Sequence, residues 1–419
     1  MKKFKARVKT LEAEGLAVSG GEPLIFHCNH YNLFLQRTIE DVSEYVDVET
    51  ILRVGGVVAV HSMLHVLFRN HAELRNPVDR LKAAEGIYTQ LGFGLLGFDS
   101  VSENGGTVQS PLTHYSHGWK EKWGKRDKPV DYFTCGFIQA AMAAAYYKAP
   151  GHFIVHQSKC LSMGDNENEF QIDVNPDCPV IPISPGTGVT IQTSNQPGRI
   201  STNVDEAGIT SAVRGIPLEG GSDGLIPAFG VILTRHFANY YNYISYETTK
   251  QITEATGEPD LARDLFVEAG HVCAFNTFGG IMLSDEWYGM IEPQCKTRED
   301  WASGIVAVAN AFGWGYWSIS QLNPNESLQM NVEGDYESNH YLRTFALSAH
   351  PRSYLFTGGS AGVMNLLYHG DICAKPELTE DYYQELFQSD QSFQAQQTSC
   401  RTMGKELATA DVKRMNAMP

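Results

Sequence analysis

Residues 27–32 read His27-Cys-Asn-His-Tyr-Asn32, and they recur as Phe237-Ala-Asn-Tyr-Tyr-Asn242 with Asn, Tyr and Asn in the same places. Three further matches follow in the same order: Gly56 with Gly270, Cys135-Gly136 with Ser303-Gly304, and Gln157 with Gln321. Matches in a common order indicate a duplicated domain. The interval from the second to the third match is shorter in the later copy. We therefore expect this copy to have lost the middle of the domain, and the ligand site to lie in the first copy.

Composition describes a globular chain long enough for more than one domain. It has 419 residues, of which 42% are hydrophobic and 19% are charged. The formal net charge of −16 and the lack of a basic cluster argue against nucleic acid as a partner. We see no apolar run of about 18 residues, so no membrane partner is expected. The eight cysteines are scattered, which is typical of reduced thiols and favours a cytoplasmic location.

The order of the periodic segments predicts an α+β fold. Each of two repeats would place helices before an antiparallel hairpin, and the repeats would pair as an intrachain pseudo-dimer. The expected parts are a complete first repeat over 1–175, a Pro- and Gly-rich linker over 176–224, a shortened second repeat over 225–335 and a helical extension over 336–419. Within the first repeat, residues 49–70 read as a buried helix, and residues 152–161 and 169–174 read as a hairpin.

Small and turn residues in the first repeat form a recognisable series. Cys135-Gly-Phe-Ile138 precedes Gly151-His-Phe-Ile-Val-His-Gln157, and then come Cys160, Gly164-Asp165 and Phe170. This series resembles the 4-vinyl-reductase-like family of small-molecule-binding domains, and in particular the sensing domains of aromatic-responsive bacterial regulators. The resemblance implies a pocket for an aromatic compound between the helices of residues 28–70 and the sheet of residues 93–174.

The zinc site of those regulators is not expected here. In the family pattern a Glu and three Cys hold the metal. Cys135 and Cys160 match that pattern, but Gln157 stands at the Glu position and Asn168 stands at the last Cys position. An amide is a poor zinc ligand, because zinc sites use Cys, His or carboxylate groups. The output modules of the regulators, an ATPase and a DNA-binding domain, have no counterpart in the sequence.

Nine of the fourteen histidines precede residue 157, which points to the first repeat as the site. His61 and His65 lie one turn apart on a predicted helix, a spacing that suits a transition metal such as iron or zinc. Hydrogen-bonded packing histidines are the alternative. The candidate ligand-binding residues are His27, His30, Tyr31, His114, His117, Cys135 and His152. The candidate catalytic residues are His61, His65, His156 and Cys160, and a reactive Cys160 would need His156 beside it.

Two functions fit these residues. The first is binding of a small aromatic or planar molecule in a pocket of the first repeat lined by His and aromatic side chains. The alternative is a metal-dependent or His acid–base enzyme that acts on such a molecule, which the missing output domain favours although no catalytic motif is complete. No GxGxxG or P-loop motif is present, so no nucleotide cofactor is expected. A homodimer is the expected assembly. Tyr240, Tyr241, Tyr243 and Tyr246 form an aromatic cluster that is typical of a core or an interface between copies.

Overall fold

The computed structural model describes residues 4–11, 16–183 and 198–415. The first half contains β1 (Lys9–Leu11), β2 (Leu16–Ser19), β3 (Glu22–Cys28), α1 (Asn29–Asp41), α2 (Val48–Asn70), α3 (Pro77–Gln90), β4 (Gly97–Ser102), β5 (Gly105–Ser110), α4 (Trp119–Trp123), α5 (Tyr132–Ala145), β6 (Phe153–Lys159) and β7 (Asn168–Val174). The second half contains α6 (Glu206–Gly215), β8 (Ile226–Ala228), β9 (Val231–Phe237), α7 (Ala238–Thr256), α8 (Pro259–Cys273), α9 (Gly279–Met282), α10 (Asp285–Met290), α11 (Arg298–Ala311), β10 (Tyr316–Asn323), β11 (Ser327–Glu333), α12 (Tyr336–Thr344), α13 (Tyr354–Met364), α14 (Glu380–Gln388), β12 (Phe393–Ser399) and β13 (Ala408–Arg414). Residues 184–197 of the expected linker lie outside the described residues.

Two four-stranded antiparallel sheets carry the internal repeat. One has the strand order β4-β5-β7-β6, and the other has the matching order β10-β11-β13-β12. In each half, helices precede the first hairpin of the sheet, and further helices connect the first hairpin to the second. The expected α+β fold with an internal repeat is therefore confirmed, as are the buried helix α2 and the hairpin of β6 with β7.

The second repeat reaches residue 414, and it is not shortened. Strands β12 and β13 complete the sheet that β10 and β11 begin. The stretch expected to be a helical extension, residues 336–419, thus contains two strands as well as helices. The polar sequence of β12, Phe393-Gln-Ala-Gln-Gln-Thr-Ser399, explains the difference, because it lacks the hydrophobic alternation by which a strand is recognised.

Two of the expected repeat matches are also corrected. Gln157-Ser-Lys-Cys160, from β6 into the turn after it, corresponds to Gln397-Thr-Ser-Cys400, from β12 into its turn, since the two strands hold the same place in their sheets. Ser303 and Gln321, the matches expected from sequence, lie instead on α11 and β10. The strands β10 and β11 are the counterparts of β4 and β5, so the second copy retains the middle of the domain.

A close glycine contact between two helices occurs once in each half. Helix α2 meets α5 at Gly56 and Gly136, and α8 meets α13 at Gly270 and Gly358. A Cβ on Gly136 would lie 2.9 Å from the Cα of Gly56, and a Cβ on Gly358 would lie 2.8 Å from the carbonyl carbon of Gly270. Real side chains do not fit at such distances, so each crossing requires glycine. Gly358 is therefore the counterpart of Gly136.

The two halves are intertwined through a central sheet with the order β1-β2-β3-β9-β8. Strands β3 and β9 pair antiparallel, with Phe26 opposite Arg235. Helix α1, which follows β3, packs against α8 of the second half, and α7, which follows β9, packs against α2 of the first half. Each half thus supplies one strand of this central pair and the helix that follows it to the other half, and the buried residues form one continuous core.

Helix α2 is long and apolar enough to cross a membrane by length and composition alone, which differs from the expectation that no such run exists. Within its most apolar window, 67% of the residues are buried inside the fold. A helix that contacts both α5 and α7 needs apolar side chains on most of its surface. The apolar character of α2 is accounted for by its place in the core.

We expect Gly136→Ala to lower the free energy of unfolding by about 1–3 kcal/mol, because the added methyl group must push α2 and α5 apart. Urea denaturation followed by circular dichroism measures this change. Gly289→Ala in α10 is the matched control, since a Cβ there meets no atom within 4 Å. Equal stability of Gly136→Ala and the wild type would show that the crossing is not close-packed.

Candidate functional site

The sequence-predicted site residues fall into separate places in the fold. His27 and Tyr31 lie in a buried aromatic cluster, with His114 next to it. His30 and His117 line an open pocket at the surface. The remaining candidates, His61, His65, Cys135, His152, His156 and Cys160, lie on α2, on α5 or around β6, outside both places.

Four aromatic rings surround His27, and we call this group the His27 cage. Trp314 stacks on the imidazole with ring centroids 4.9 Å apart, and Tyr31 lies 4.5 Å away. Tyr241 and Tyr336 approach edge-on, at 4.8 and 5.7 Å. His27 comes from the end of β3 and Tyr31 from α1, whereas the other three rings belong to the second half. The cage therefore exists only because the halves are intertwined.

The imidazole of His27 is fully buried, and neither of its ring nitrogens has a hydrogen-bond partner among the described residues. Burial lowers the pKa of His27 well below its ordinary value, so the ring is neutral at pH 7. An unpaired polar group in a dry site costs about 1–3 kcal/mol. Since buried polar groups normally have partners, a pair of unpaired nitrogens needs an explanation.

A chain of hydrogen bonds connects the cage to His114. The Tyr241 hydroxyl donates to Oδ1 of Asn32 at 2.6 Å, and Nδ2 of Asn32 lies 3.0 Å from Nε2 of His114. Asn32 also donates to the Thr234 hydroxyl at 3.2 Å. All four side chains are buried. The predicted residues His27, Tyr31 and His114 thus belong to one buried polar layer.

His236 is the counterpart of His27 at the end of β9, and it differs in its hydrogen bonds. Its ring lies 4.7 Å from Tyr240, much as the ring of His27 lies 4.5 Å from Tyr31. Nδ1 of His236 accepts the backbone N–H of Phe237 at 2.8 Å, so Nε2 carries the proton and donates to the Tyr115 hydroxyl at 3.1 Å. Both nitrogens of His236 are satisfied, and His27 is the imidazole with unused capacity.

A buried carboxyl, Glu337, lies beside the cage. It accepts the backbone N–H groups of Tyr354, Leu355 and Phe356 at 2.9, 3.1 and 3.2 Å, at the start of α13. Burial, and then the charge of Asp335, raise the pKa of Glu337 to about 8 against the opposing effect of those N–H groups. The carboxyl can therefore gain or lose a proton near neutral pH.

The surface pocket has a volume of about 470 Å³, and we call it the outer pocket. His30, His117 and Lys122 line its polar side, and Phe229 with the β8–β9 turn lines its apolar side. Nζ of Lys122 donates to Oδ1 of Asn29 at 3.0 Å. Burial lowers the pKa of His30 to about 4, ahead of the effect of the Lys122 charge. The pocket is open to water, so its polar groups have solvent as a partner.

The predicted metal pair is together, but it has no third ligand. The rings of His61 and His65 stack with centroids 5.7 Å apart on α2. Burial lowers the pKa of His61 to about 4, so its imidazole is neutral. Within residues 4–11, 16–183 and 198–415, no group of three or more His, Cys, Asp or Glu side chains is placed to hold a metal ion. A transition metal at this pair stays a prediction.

The positions at which the sequence resemblance would place metal ligands hold a hydrogen-bonded cluster. Nε2 of Gln157 donates to Oδ2 of Asp131 at 3.0 Å and to Oδ1 of Asn168 at 3.1 Å. Nδ2 of Asn168 donates to the Ser116 hydroxyl at 3.0 Å. The amides that replace metal ligands therefore serve as hydrogen-bonding groups. Burial raises the pKa of Cys160, which favours the thiol over the thiolate.

The other candidates have ordinary structural surroundings. Burial raises the pKa of Cys135, and this thiol lies inside α5. His152 makes an edge contact with Phe153 at 4.8 Å. His156 is exposed, with Nδ1 lying 3.4 Å from Oε1 of Glu49. Neither a Cys160–His156 pair nor a site that joins His152 to the cage forms among the described residues.

Sequence reasoning missed Trp314, Tyr336 and Glu337. Gly313-Trp-Gly315 precedes β10 as Gly92-Phe-Gly94 precedes β4, and this further repeat match could have pointed to Trp314. The cluster expected at a core or an interface does supply Tyr241. Tyr336 and Glu337 carry no local signal, because only the intertwined fold brings Tyr336 to His27 and Glu337 close to Tyr31.

Comparisons with known proteins found little. No protein-family model matches the chain, and no curated protein matches it. A solved structure that matches is the phenol-responsive sensory domain of the transcription activator PoxR with phenol. The TM-score is 0.35 at 14% identity, over 41% of this chain and 88% of that chain. A likeness of this size establishes neither the fold nor the ligand of this chain, so the 4-vinyl-reductase resemblance depends on the sequence series alone.

Glu337→Gln tests the buried carboxyl through pH. The pKa of Glu337 is about 8 in the folded chain and ordinarily 4.5, so the folded chain holds the proton more tightly. The stability from this group is complete below pH 4.5 and is lost as pH rises through 8. We expect the free energy of unfolding of the wild type, relative to that of the variant, to fall by roughly 3–5 kcal/mol from pH 4 to pH 8. Urea denaturation at the two pH values measures this change.

Glu326→Gln, at an exposed turn, is the control for the same change of carboxyl to amide. The contrary result is a free energy of unfolding that differs between the wild type and Glu337→Gln by the same amount at pH 4 and at pH 8. That result would mean that Glu337 does not titrate in a dry site.

Proposed function

We propose that this chain binds a small planar molecule, with an aromatic ring and one hydrogen-bonding group, at the His27 cage. The observation that carries the proposal is the imidazole of His27, which is buried with both ring nitrogens unpaired. A hydroxyl or N–H group on the ligand would supply the missing partner. The gain is largest where water is excluded, because the unpaired nitrogen already carries a desolvation cost.

The walls of the cage favour an aromatic ligand. Trp314, Tyr31, Tyr241 and Tyr336 present ring faces and edges around one point, and aromatic pairs add about 0.5–1.5 kcal/mol to simple burial. A chain-like or highly charged molecule would match neither the rings nor the neutral imidazole. A single ring with one polar group matches both.

Binding must include a rearrangement of the cage. The rings lie 4.5 to 5.7 Å from the imidazole, which is contact distance, so a ligand has to displace at least one of them. Tyr336 is the cage ring farthest from the imidazole, and it lies in the first turn of α12 and not in the central sheet, so we expect it to be the ring displaced. We therefore expect an association rate constant well below the diffusional limit, because binding requires a conformational change.

The outer pocket supports this proposal less well. His30, His117 and Lys122 are open to solvent, so a ligand there must replace their hydrogen bonds to water. The net gain in binding free energy from each new hydrogen bond is therefore small. At His27 no such competition exists.

Phenol is the smallest probe with the required chemistry, and benzene is its matched control without the hydroxyl. Isothermal titration calorimetry on the full chain should show phenol binding at least about 10-fold tighter than benzene, the value of one buried hydrogen bond. His27→Phe should weaken phenol binding by about 10- to 100-fold while leaving the fold at least as stable, because the variant removes an unpaired polar group.

His152→Phe makes the same chemical change at the residue just before β6, away from the cage, and should bind phenol as the wild type does. Wild-type affinity of His27→Phe for phenol, or equal affinity of the wild type for phenol and benzene, would refute binding at the cage.

An acid–base enzyme acting in the same place is the second candidate. The observation in its favour is Glu337, whose raised pKa of about 8 lets it exchange a proton at neutral pH beside Tyr31 and Tyr336. Chromatography of phenol recovered after incubation separates the two candidates. A new product that Glu337→Gln fails to form would support the enzyme, and unchanged phenol would support binding alone.

A further inference from the structure

A second cavity lies on the opposite face of the central sheet from His27. It has a volume of about 200 Å³ and is bounded by β1, β2, β3, β9, α6 and the end of α11. Most of its lining residues are apolar, and they include Leu16, Leu24, Val213, Ile216, Leu218 and Phe312. None of the sequence-predicted site residues lines it.

One charged side chain in this wall, Arg235, has no ion pair with any of the described residues. Its guanidinium carbon lies 4.5 Å from the centroid of the Phe26 ring. Nε of Arg235 is buried without a hydrogen-bond partner, and no carboxylate lies within ion-pair distance of the guanidinium among the described residues. Burial lowers the pKa of Arg235, which expresses the cost of a charge held partly away from water.

The carboxylate whose charge acts on Arg235 is already engaged. Glu219 raises the pKa of Arg235, but it forms its ion pair with Lys5 and accepts a hydrogen bond from Nε2 of Gln90 at 3.1 Å. Arg214, the other cation of the cavity wall, donates to the carbonyl of Asn310 at 3.1 Å. Among the described residues, Arg235 is therefore the arginine of this cavity that is available to an anion.

We propose that this cavity, the Arg235 cavity, binds a small monocarboxylate with an apolar body. A guanidinium holds a carboxylate through two parallel hydrogen bonds, which suits Arg235 better than a point charge would. The apolar lining residues can pack against a hydrocarbon chain, which an inorganic anion lacks. An apolar cavity of about 150 Å³ holds benzene, so about 200 Å³ admits a body of six or so carbons with its carboxylate.

This site is independent of the proposed function. Successive side chains of a strand point to opposite faces, so Phe26 and Arg235 face the cavity while His27 and His236 face the helices. The observations that carry the two sites share no side chain. If phenol failed to bind at His27, the proposal for the Arg235 cavity would still stand. If a carboxylate failed to bind at Arg235, the proposal for the His27 cage would still stand.

Hexanoate is the probe, and hexanamide is its uncharged isostere. Calorimetry on the full chain at low ionic strength should show hexanoate binding at least about 10-fold tighter than hexanamide, as expected for a partly desolvated charge-assisted pair. Arg235→Met keeps an unbranched apolar stem and removes the guanidinium charge, so it should abolish the preference. His27→Phe should bind hexanoate as the wild type does.

Arg75→Met, at an exposed arginine that does not line the cavity, controls for the loss of one positive charge and should retain the preference. If Arg235→Met does not fold, Ala311→Phe places a larger side chain in the cavity wall and should weaken hexanoate binding by about the same factor. Equal binding of hexanoate and hexanamide to the wild type, or wild-type hexanoate binding by a folded Arg235→Met or Ala311→Phe, would overturn the proposal.

Discussion

The pairing of β3 with β9 is the interaction on which the rest of the structure depends. Phe26 and Arg235 face each other near the middle of this pair, and the strand ends lead directly into α1 and α7. Because the strands run antiparallel, each helix is delivered to the opposite half, where α1 meets α8 and α7 meets α2. Successive side chains of a strand point to opposite faces of the sheet. The imidazoles of His27 and His236 therefore face the helices, and the guanidinium of Arg235 faces the cavity.

The two halves share a fold but not the chemistry around their equivalent histidines. His236 has a backbone donor and the Tyr115 hydroxyl as partners, and Phe93 packs on its ring at 4.9 Å. His27 has Trp314 in the place of Phe93, and neither of its ring nitrogens has a hydrogen-bond partner in the part of the chain that the structure describes. A duplicated core has thus kept one histidine as a satisfied structural group and left the other with unused hydrogen-bonding capacity. This difference, rather than the number of histidines in the first half, is the argument for where a ligand binds.

Regular hydrophobic patterns made part of this arrangement predictable. The apolar run of α2 and the turn-bounded strands β6 and β7 have clear periodicity, and His27 and Tyr31 attract notice because they lie in a repeated segment. Strands β12 and β13 were not predictable from pattern, since the glutamines of β12 hide its alternation. The cage could not be assembled from sequence either, because Trp314, Tyr336 and Glu337 reach His27 only through the exchange of strands between halves. His61 and His65 do lie side by side on α2, as their spacing predicts. Among the described residues, no third side chain joins them to form a metal site.

A crystal structure of the full chain grown with phenol would show whether the His27 cage is the ligand site. We expect a phenol ring among Trp314, Tyr31 and Tyr241, with its hydroxyl within about 3.2 Å of a ring nitrogen of His27 and at least one cage ring displaced. Phenol bound in the outer pocket beside His30 and Lys122, with the cage closed and both nitrogens of His27 still unpaired, would contradict it.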